Sequence, residues 1–346
     1  MSTCYFLGAG ASREFGIPLT NALMPAILDR LRSGDLYGTS AMHRAMARRL
    51  LAFLRHVFPG LGRKDAAAPS IIDVLSLVDY AISTSTALRA KAAKTDLIEI
   101  RRLLEIAVCG VISDKHVPRD TAKLKQFWKW IESRNSQAPD TVRIITANYD
   151  CSIEEMLRRS KNFKAICDDV DFGFDWRDPA VETPFRRPAQ PWLRYYKLHG
   201  SLNWLRCDFC EHVYLNTDWE IWDVVMMRKI SDANSCHCGH GKLGLLVVTP
   251  SYIRDVREPN LTEIWRHAIE ALRTSDEWII AGYSIPSDDL MIRSMFIRAY
   301  AGRAKKPKVH VVAWQKDLER DARFRLLFPN CTIEREGFGA HIDSLA

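Results

Sequence analysis

The opening of this chain constrains it most. Cys4-Tyr5-Phe6-Leu7 is a short apolar run that breaks at once into Gly8-Ala9-Gly10-Ala11-Ser12 and then Gly16-Ile17-Pro18-Leu19-Thr20. Such a run reads as a buried strand. Gly8 and Gly10 let the backbone turn sharply and come close to a ligand, and the amides entering a following helix offer donors and a positive dipole end to a pyrophosphate. A dehydrogenase fingerprint GxGxxG would place a glycine at Arg13, and no acidic ribose-binding residue is apparent at the end of a second strand. Hydride transfer is therefore not the expectation.

From Thr20 to about Arg134 the apolar residues recur at helical spacing: Leu23, Ile27 and Leu31; Met42, Met46, Leu50, Phe53, Leu54 and Val57; Leu97, Ile100, Leu104 and Val108; Leu124, Phe127 and Ile131. About five helices follow, punctuated by Ser33-Gly34-Asp35, Pro59-Gly60-Leu61-Gly62 and Pro118, with Ser70 and Asp73 as a helix start. Their stripes read as core packing, and the insert as a cap over the site or a partner surface. After Pro139 strands and helices alternate. Val142–Thr146, Leu193–Leu198, Leu243–Val248, Trp278–Ala281 and Val309–Ala313 read as strands, and Ser152–Arg159, Leu261–Arg273 and Asp288–Tyr300 as helices. That order implies an α/β fold with a doubly wound, Rossmann-like, mostly parallel sheet. Phe163–Arg187 reads as a long surface connection, Cys331–Arg335 as a short strand that finishes the sheet or pairs with another subunit, and Gly337-Phe338-Gly339 as a turn.

Ligands of such sheets bind beyond the carboxyl ends of the strands. The residues there are Gly8 to Ser12, then Ala147-Asn148-Tyr149-Asp150, then His199-Gly200-Ser201, then Gly282-Tyr283-Ser284. Each has a structural reading: Asp150 as a helix N-cap, Asn148 as a turn residue, His199 as a satisfied histidine, Ser284 as a hydroxyl closing a loop before Pro286. Their convergence on one sheet edge beside a phosphate loop favours a nucleotide site with acid/base chemistry.

With 346 residues, 47% of them hydrophobic, there is ample material for a large core. The net charge of +7 is dispersed, with small clusters at Arg63-Lys64, Arg186-Arg187 and Lys305-Lys306, and without a continuous basic stripe it reads as solvated surface rather than a nucleic-acid face. No apolar run approaches membrane-spanning length, and the N-terminal apolar residues are too few for a signal peptide, so a cytoplasmic protein is expected. Nine cysteines, four of them in two close pairs, look like a metal site plus reduced thiols. Cys207 and Cys210, with Cys236 and Cys238, read as the ligands of a structural zinc ribbon, closed to chemistry because four protein ligands leave no open position. The second pair is CxC, a spacing that can strain a tetrahedral site and leaves His212, His237 or His240 as replacements for a cysteine.

The glycine loop with Gly16-Ile17-Pro18, then Thr146-Ala147-Asn148-Tyr149-Asp150, then Leu198-His199-Gly200, then paired cysteines, resembles the sirtuin signature in order and across nearly the whole chain. Among its branches the chain is most similar to bacterial SIR2-like proteins of antiphage defence, through the large helical insertion, Lys197 to Ser201, Ala281 to Pro286 and the helix start Ser287-Asp288-Asp289. The resemblance implies an NAD-consuming site. Gly8, Ala9, Gly10, Ala11 and Ser12 would hold the diphosphate, with Ile17 and Pro18 beside them, and Gly282 and Ser284 the adenosine side. Asn148 and Asp150 would line the ribose and nicotinamide end, and His199 would be the general base. Deacylating sirtuins continue from Gly-Ile-Pro into Asp/Ser-Phe-Arg, where this chain has Leu19-Thr20-Asn21, and their Gly-Thr-Ser-Leu turn is Gly282-Tyr283-Ser284-Ile285 here.

The expectation is an NAD glycohydrolase that yields nicotinamide and ADP-ribose and acts in defence by NAD depletion. A divergent deacylase, an ADP-ribosyltransferase and a non-catalytic NAD or ADP-ribose sensor are the alternatives. The resemblance also implies regulation by homo-oligomerisation or by a partner such as an ATPase or Argonaute-like protein. The expected organisation is a core of residues 1–22, 136–205 and 243–346, a helical insertion over 23–135 and a zinc-ribbon module over 206–242.

Overall fold

A computed structural model of the chain describes residues 1–64, 66–88, 94–113, 121–159, 169–178, 184–215, 236–241, 243–252, 258–286 and 289–345. Pro118, Ser287, Asp288, parts of the Phe163–Arg187 connection and much of residues 206–242 lie outside them.

β1 (Thr3–Leu7) and β2 (Val142–Thr146) are buried at every residue, Arg143 included, as strands covered on both faces are. β1 pairs with β2 on one side and with β9 (Glu277–Ala281) on the other, both in parallel. β5 (Leu193–Lys197) and β3 (Val170–Asp171) extend the first flank, and β10 (Lys308–Val312) and β11 (Thr332–Glu334) the second. The result is a parallel sheet of seven strands in the order β11-β10-β9-β1-β2-β5-β3. Thr332–Glu334 therefore finishes the sheet.

Neighbouring residues of a strand point to opposite faces, and Tyr5 and Phe6 show which helices cover each face. Tyr5 meets Phe127 of α6 (Thr121–Gln137) edge-on at 5.1 Å, whereas Phe6 meets Phe296 of α9 (Leu290–Ala301) at 5.0 Å. The sheet is thus doubly wound, as the alternating strands and helices imply. α7 (Ser152–Arg159) and α11 (Gly337–Ser344) pack on α6, and α8 (Pro259–Thr274) packs on α9 and β5. α10 (Leu318–Leu327) links β10 to β11. The Gly337-Phe338-Gly339 turn proves to be the start of α11, because Phe338 and Ile342 are buried in the sheet's core.

The chain between β1 and β2 forms the expected helices. α1 (Ala9–Arg13) is very short, and α2 (Thr20–Ser33), α3 (Ala41–Val57), α4 (Ile71–Thr84) and α5 (Lys94–Ile112) follow before α6. The Ser70 side chain caps α4 by accepting from the Ile72 amide, and Gly34, at φ 82°, ends α2 in the left-handed conformation that glycine adopts without strain. α2 to α5 close around a second hydrophobic core with Leu28, Leu50, Val74 and Leu104 at its centre. α6, by contrast, contributes Leu124, Phe127 and Ile131 to the sheet's core.

One strand is not where its sequence order suggests. β8 (Leu243–Val247) does not join the parallel sheet: it pairs antiparallel with β6 (Gly200–Cys207) in a second sheet, β4-β7-β6-β8, with β4 at Trp176–Arg177 and β7 at Val213–Leu215. The cause is the reversal at Gly200. With φ at 78°, Gly200 turns the chain back after β5, and a Cβ there would lie 2.1 Å from the Leu246 carbonyl oxygen, so only glycine lets β6 and β8 approach this closely. No described helix is long and apolar enough to cross a membrane.

Candidate functional site

In the parallel sheet the last residues of the central strands stand side by side: Leu7 beside Thr146 on one flank and Ala281 on the other, with Lys197 beside Thr146. The strand order reverses about β1, where a doubly wound sheet opens a crevice beyond its carboxyl ends. Each residue singled out as catalytic or NAD-binding follows one of these ends.

The glycines at this edge serve backbone packing first. A Cβ on Gly8 would lie 2.6 Å from the Gly282 oxygen, and one on Gly282, at φ 65°, only 1.9 Å from the Ala11 nitrogen. The loops after β1 and β9 therefore lock into each other, with the Gly10 amide donating to the Gly282 carbonyl at 2.8 Å and the Ala11 amide to Gly8 at 2.9 Å. Those two amides are occupied within the protein. The helix that follows the loop is α1, five residues that end before Gly16 turns the chain at φ 83°.

Above this loop the side chains form a hydrogen-bonded series. The Asn148 amide nitrogen donates to the Gly8 carbonyl at 2.8 Å and to the Ser12 hydroxyl at 2.7 Å, and that hydroxyl donates to Asp150 Oδ2 at 2.7 Å. Asp150 Oδ1 accepts the Ser152 amide at 3.1 Å, so Asp150 closes a turn at the entry to α7 and also faces the site. Its carboxylate is thereby oriented by two donors. His199 is 4% exposed, its ring beside those of Tyr149 (6.3 Å) and Trp265 (6.0 Å).

Beneath them Lys197 is fully buried, with its ammonium donating to the Asp150 carbonyl at 2.6 Å and to Glu154 Oε1 at 2.8 Å. Burial alone would lower its pKa; Glu154, with Cys151 and Asp150, more than offsets this, so the pKa is raised and the group stays charged. Sequence reasoning quoted Lys197 only as part of a motif. The signal was a second cation, after Arg194, at the end of a strand that is otherwise leucine and tyrosine.

A cavity of about 250 Å³ joins these groups, lined by Ala9, Ser12, Ile17, Pro18, Asn148, Asp150, His199, Gly282 and Ser284. Gly8, Gly10 and Ala11 do not line it; they pack against the loop after β9 instead. Its opposite wall is one that the helical stripes did not single out: Leu23 of α2, Ile72 of α4 and Ile112 of α5, with Pro250 beyond β8. Arg101 of α5 ties that last loop to the helices, donating to Thr249 Oγ1 at 2.6 Å and to Asp79 Oδ1 at 2.6 Å. Ile285, next to Ser284, has φ 51°, a strained value for a β-branched residue, and it sits in the loop that bounds the cavity.

The four paired cysteines meet. Their sulfurs all lie within 4.8 Å of one another, with Cys207 and Cys238 at 3.8 Å and Cys210 and Cys236 at 3.3 Å. Zinc–sulfur bonds of about 2.3 Å put tetrahedral ligands roughly 3.8 Å apart, so the set fits a zinc ion without a histidine. His237 instead turns its Nδ1 to the Tyr214 hydroxyl at 2.9 Å, while His212 Nδ1 stands 3.2 Å from the Cys210 sulfur. Burial pushes the Cys210 thiol up to about 12, whereas the His240 and Gly241 amides draw Cys238 down to about 6; a bound cation would favour the thiolate at all four. A Cβ on Gly241 would lie 2.2 Å from the Cys207 sulfur, so the loop closes tightly over the cluster.

No curated protein matches the chain. Among solved structures, a Sir2 enzyme analysed for mechanism and regulation is 15% identical, covering 99% of this chain and 90% of its own, with a TM-score of 0.45. A Sir2 homologue in complex with NAD is 14% identical over 99% of this chain and 87% of its own, at a TM-score of 0.40. A mutant Sir2 homologue bound to ADP-ribose is 15% identical over 100% and 90%, at 0.42. The family model described as the SIR2-like domain matches residues 142–334, from β2 through β11, and with more than half of its length so matched the chain belongs to the SIR2-like domain family.

Proposed function

We propose that this protein cleaves the nicotinamide–ribose bond of NAD and passes the ribosyl group to water. The observation that carries the proposal is the meeting of Asn148, Asp150 and His199, from two different strand ends, with Ser12 of the glycine loop in one cavity. Breaking the bond releases neutral nicotinamide and leaves positive charge on the ribose. Asp150 stabilises that charge, its carboxylate held in place by Ser12 and the Ser152 amide. Asn148 orients the ribose and the attacking water, and His199 takes the proton that water loses as it bonds to the ribose carbon. The products are nicotinamide, ADP-ribose and a proton.

Water as acceptor is supported by the cavity's other wall. Asn21, at the position where deacylating relatives carry an arginine, is exposed on α2, and Thr20 and Leu23 line the cavity instead. A defence role by NAD depletion, regulated through self-association or a partner protein, goes with the resemblance to the antiphage SIR2-like proteins. Cys207, Cys210, Cys236 and Cys238 would hold zinc, which supplies structure there and no chemistry.

The test is nicotinamide release from NAD by the full chain, with and without an acylated peptide. Release without peptide supports hydrolysis. Release that depends on the peptide replaces this reading with deacylation, and binding without release replaces it with a sensor.

A further inference from the structure

A buried ammonium needs acceptors for its three protons, and one carboxylate would balance its charge. Lys197 does more than pair with Glu154. Its ammonium lies 2.6 Å from the Asp150 carbonyl oxygen and 3.2 Å from that of Tyr149, in the stretch between the end of β2 and the start of α7. It also donates to the Ser201 hydroxyl at 2.6 Å, and Ser201 in turn donates to Asn203 Oδ1 at 2.6 Å. The other Glu154 oxygen accepts the Tyr195 hydroxyl at 2.9 Å. One side chain at the end of β5, two residues before His199, therefore touches the loop that carries Asn148 and Asp150, the first turn of α7 and the start of β6.

We propose that Lys197 is a positioning residue for the reaction in this cavity, setting the Asn148–Asp150 loop against the His199 turn; this rests on the NAD-cleaving reading above. The glycine loop, which would take the diphosphate, is locked to the loop after β9 by the Gly10 amide and the Gly282 carbonyl, out of reach of Lys197's own bonds. Loss of Lys197 therefore acts on the turnover of bound NAD more than on its binding.

Two variants separate positioning from charge balance. Lys197→Met leaves Glu154 buried without its counter-ion and lowers the thermal midpoint, whereas Lys197→Met/Glu154→Gln removes both charges and recovers most of it. Both are expected to lose about 100-fold in kcat, the scale of a misplacement near 1 Å, with KM within roughly threefold of the parent. Crystal structures of the double variant are expected to show the Asn148–Asp150 loop displaced. A double variant with the parent's kcat, or with the loop unmoved, overturns the proposal and leaves Lys197 as the partner of Glu154. If the parent chain releases no nicotinamide, the NAD-cleaving reading fails; the loop's place in the double variant still decides what Lys197 holds.

Discussion

On one side of the cavity Asn148, Ser12 and Asp150 hold one another through hydrogen bonds of 2.7 Å; on the other, Leu23, Ile72 and Ile112 present hydrocarbon from three different helices. The first wall belongs to the parallel sheet, whose core runs through Phe6, Ile145 and Ile280, and the second to the insertion, whose core is built on Leu50, Leu75 and Leu104. The difference is one of specification. The polar wall depends on single atoms, because a strand end displaced by one residue would turn every side chain to the other face. The apolar wall depends on shape and volume, which helices supply with many combinations of side chains.

The comparison breaks most sharply at the polar wall. Asn148→Ala and His199→Ala are expected to lower nicotinamide release about 100- to 10,000-fold while the thermal midpoint stays close to that of the parent. Equal loss of release and of folding in both would show that this wall is structural.

Next in size is the cysteine cluster, none of whose four thiols lines the cavity. Its small core gathers Leu205, Tyr214 and the four cysteines. Stripping zinc with a chelator, or Cys236→Ser, should lower the thermal midpoint, at roughly 2–4 °C for each kcal/mol lost, with one equivalent of metal released. Release of nicotinamide measured below the new midpoint should survive. A chain purified without zinc and unmoved by the chelator would remove the metal from the account.

The apolar wall should answer differently. Leu23 is 3% exposed, so Leu23→Ala is expected to cost about 2–5 kcal/mol in urea unfolding. KM for NAD should rise and kcat should change little. A collapse of kcat in this variant would mean that the helices take part in the chemistry.

The smallest effect lies on the sheet's far flank, where His310 Nε2 is 3.2 Å from Glu277 Oε1. The hydrogen bond to Glu277 raises the His310 pKa, and the reciprocal bond lowers that of Glu277. A raised histidine contributes stability that is fully present below its unfolded value of about 6.5 and is lost as pH rises through the folded value; the lowered glutamate contributes above about 4.3 and loses it on acidification. His310→Gln should therefore destabilise at pH 6 and much less at pH 8.5, with catalysis untouched. Urea midpoints at the two pH values check this, and a pH-independent difference would refute the pairing.

Legibility in the sequence follows the same division. Val142–Thr146, apolar but for Arg143 and Thr146, and the run around Cys4 are short strand-like stretches bounded by polar loops, so they could be read as buried strands and their ends inspected for chemistry. That reading named Ser12, Asn148, Asp150 and His199, all of which line the one cavity. It expected the helical insert to cap the site or to form a partner surface but singled out no residue of the apolar wall, because a leucine or isoleucine in a helical stripe looks the same whether it faces a core or a cavity. It also placed Leu243–Val248 in the parallel sheet, since an apolar run does not say which neighbour it will pair with; Gly200 settles that by reversing the chain and admitting the Leu246 carbonyl.

The sequence by itself determined the elements, the residues at the strand ends and the four thiols, because periodicity, glycine and charge act over short stretches of chain. Only the tertiary structure decided that the glycines at Gly8, Gly10 and Gly282 serve to lock two loops together, that α2, α4 and α5 roof the cavity, and that Lys197 joins Glu154 to the Asp150 carbonyl. Those outcomes depend on which segments meet across long separations, and a pattern along the chain does not encode a distance across it.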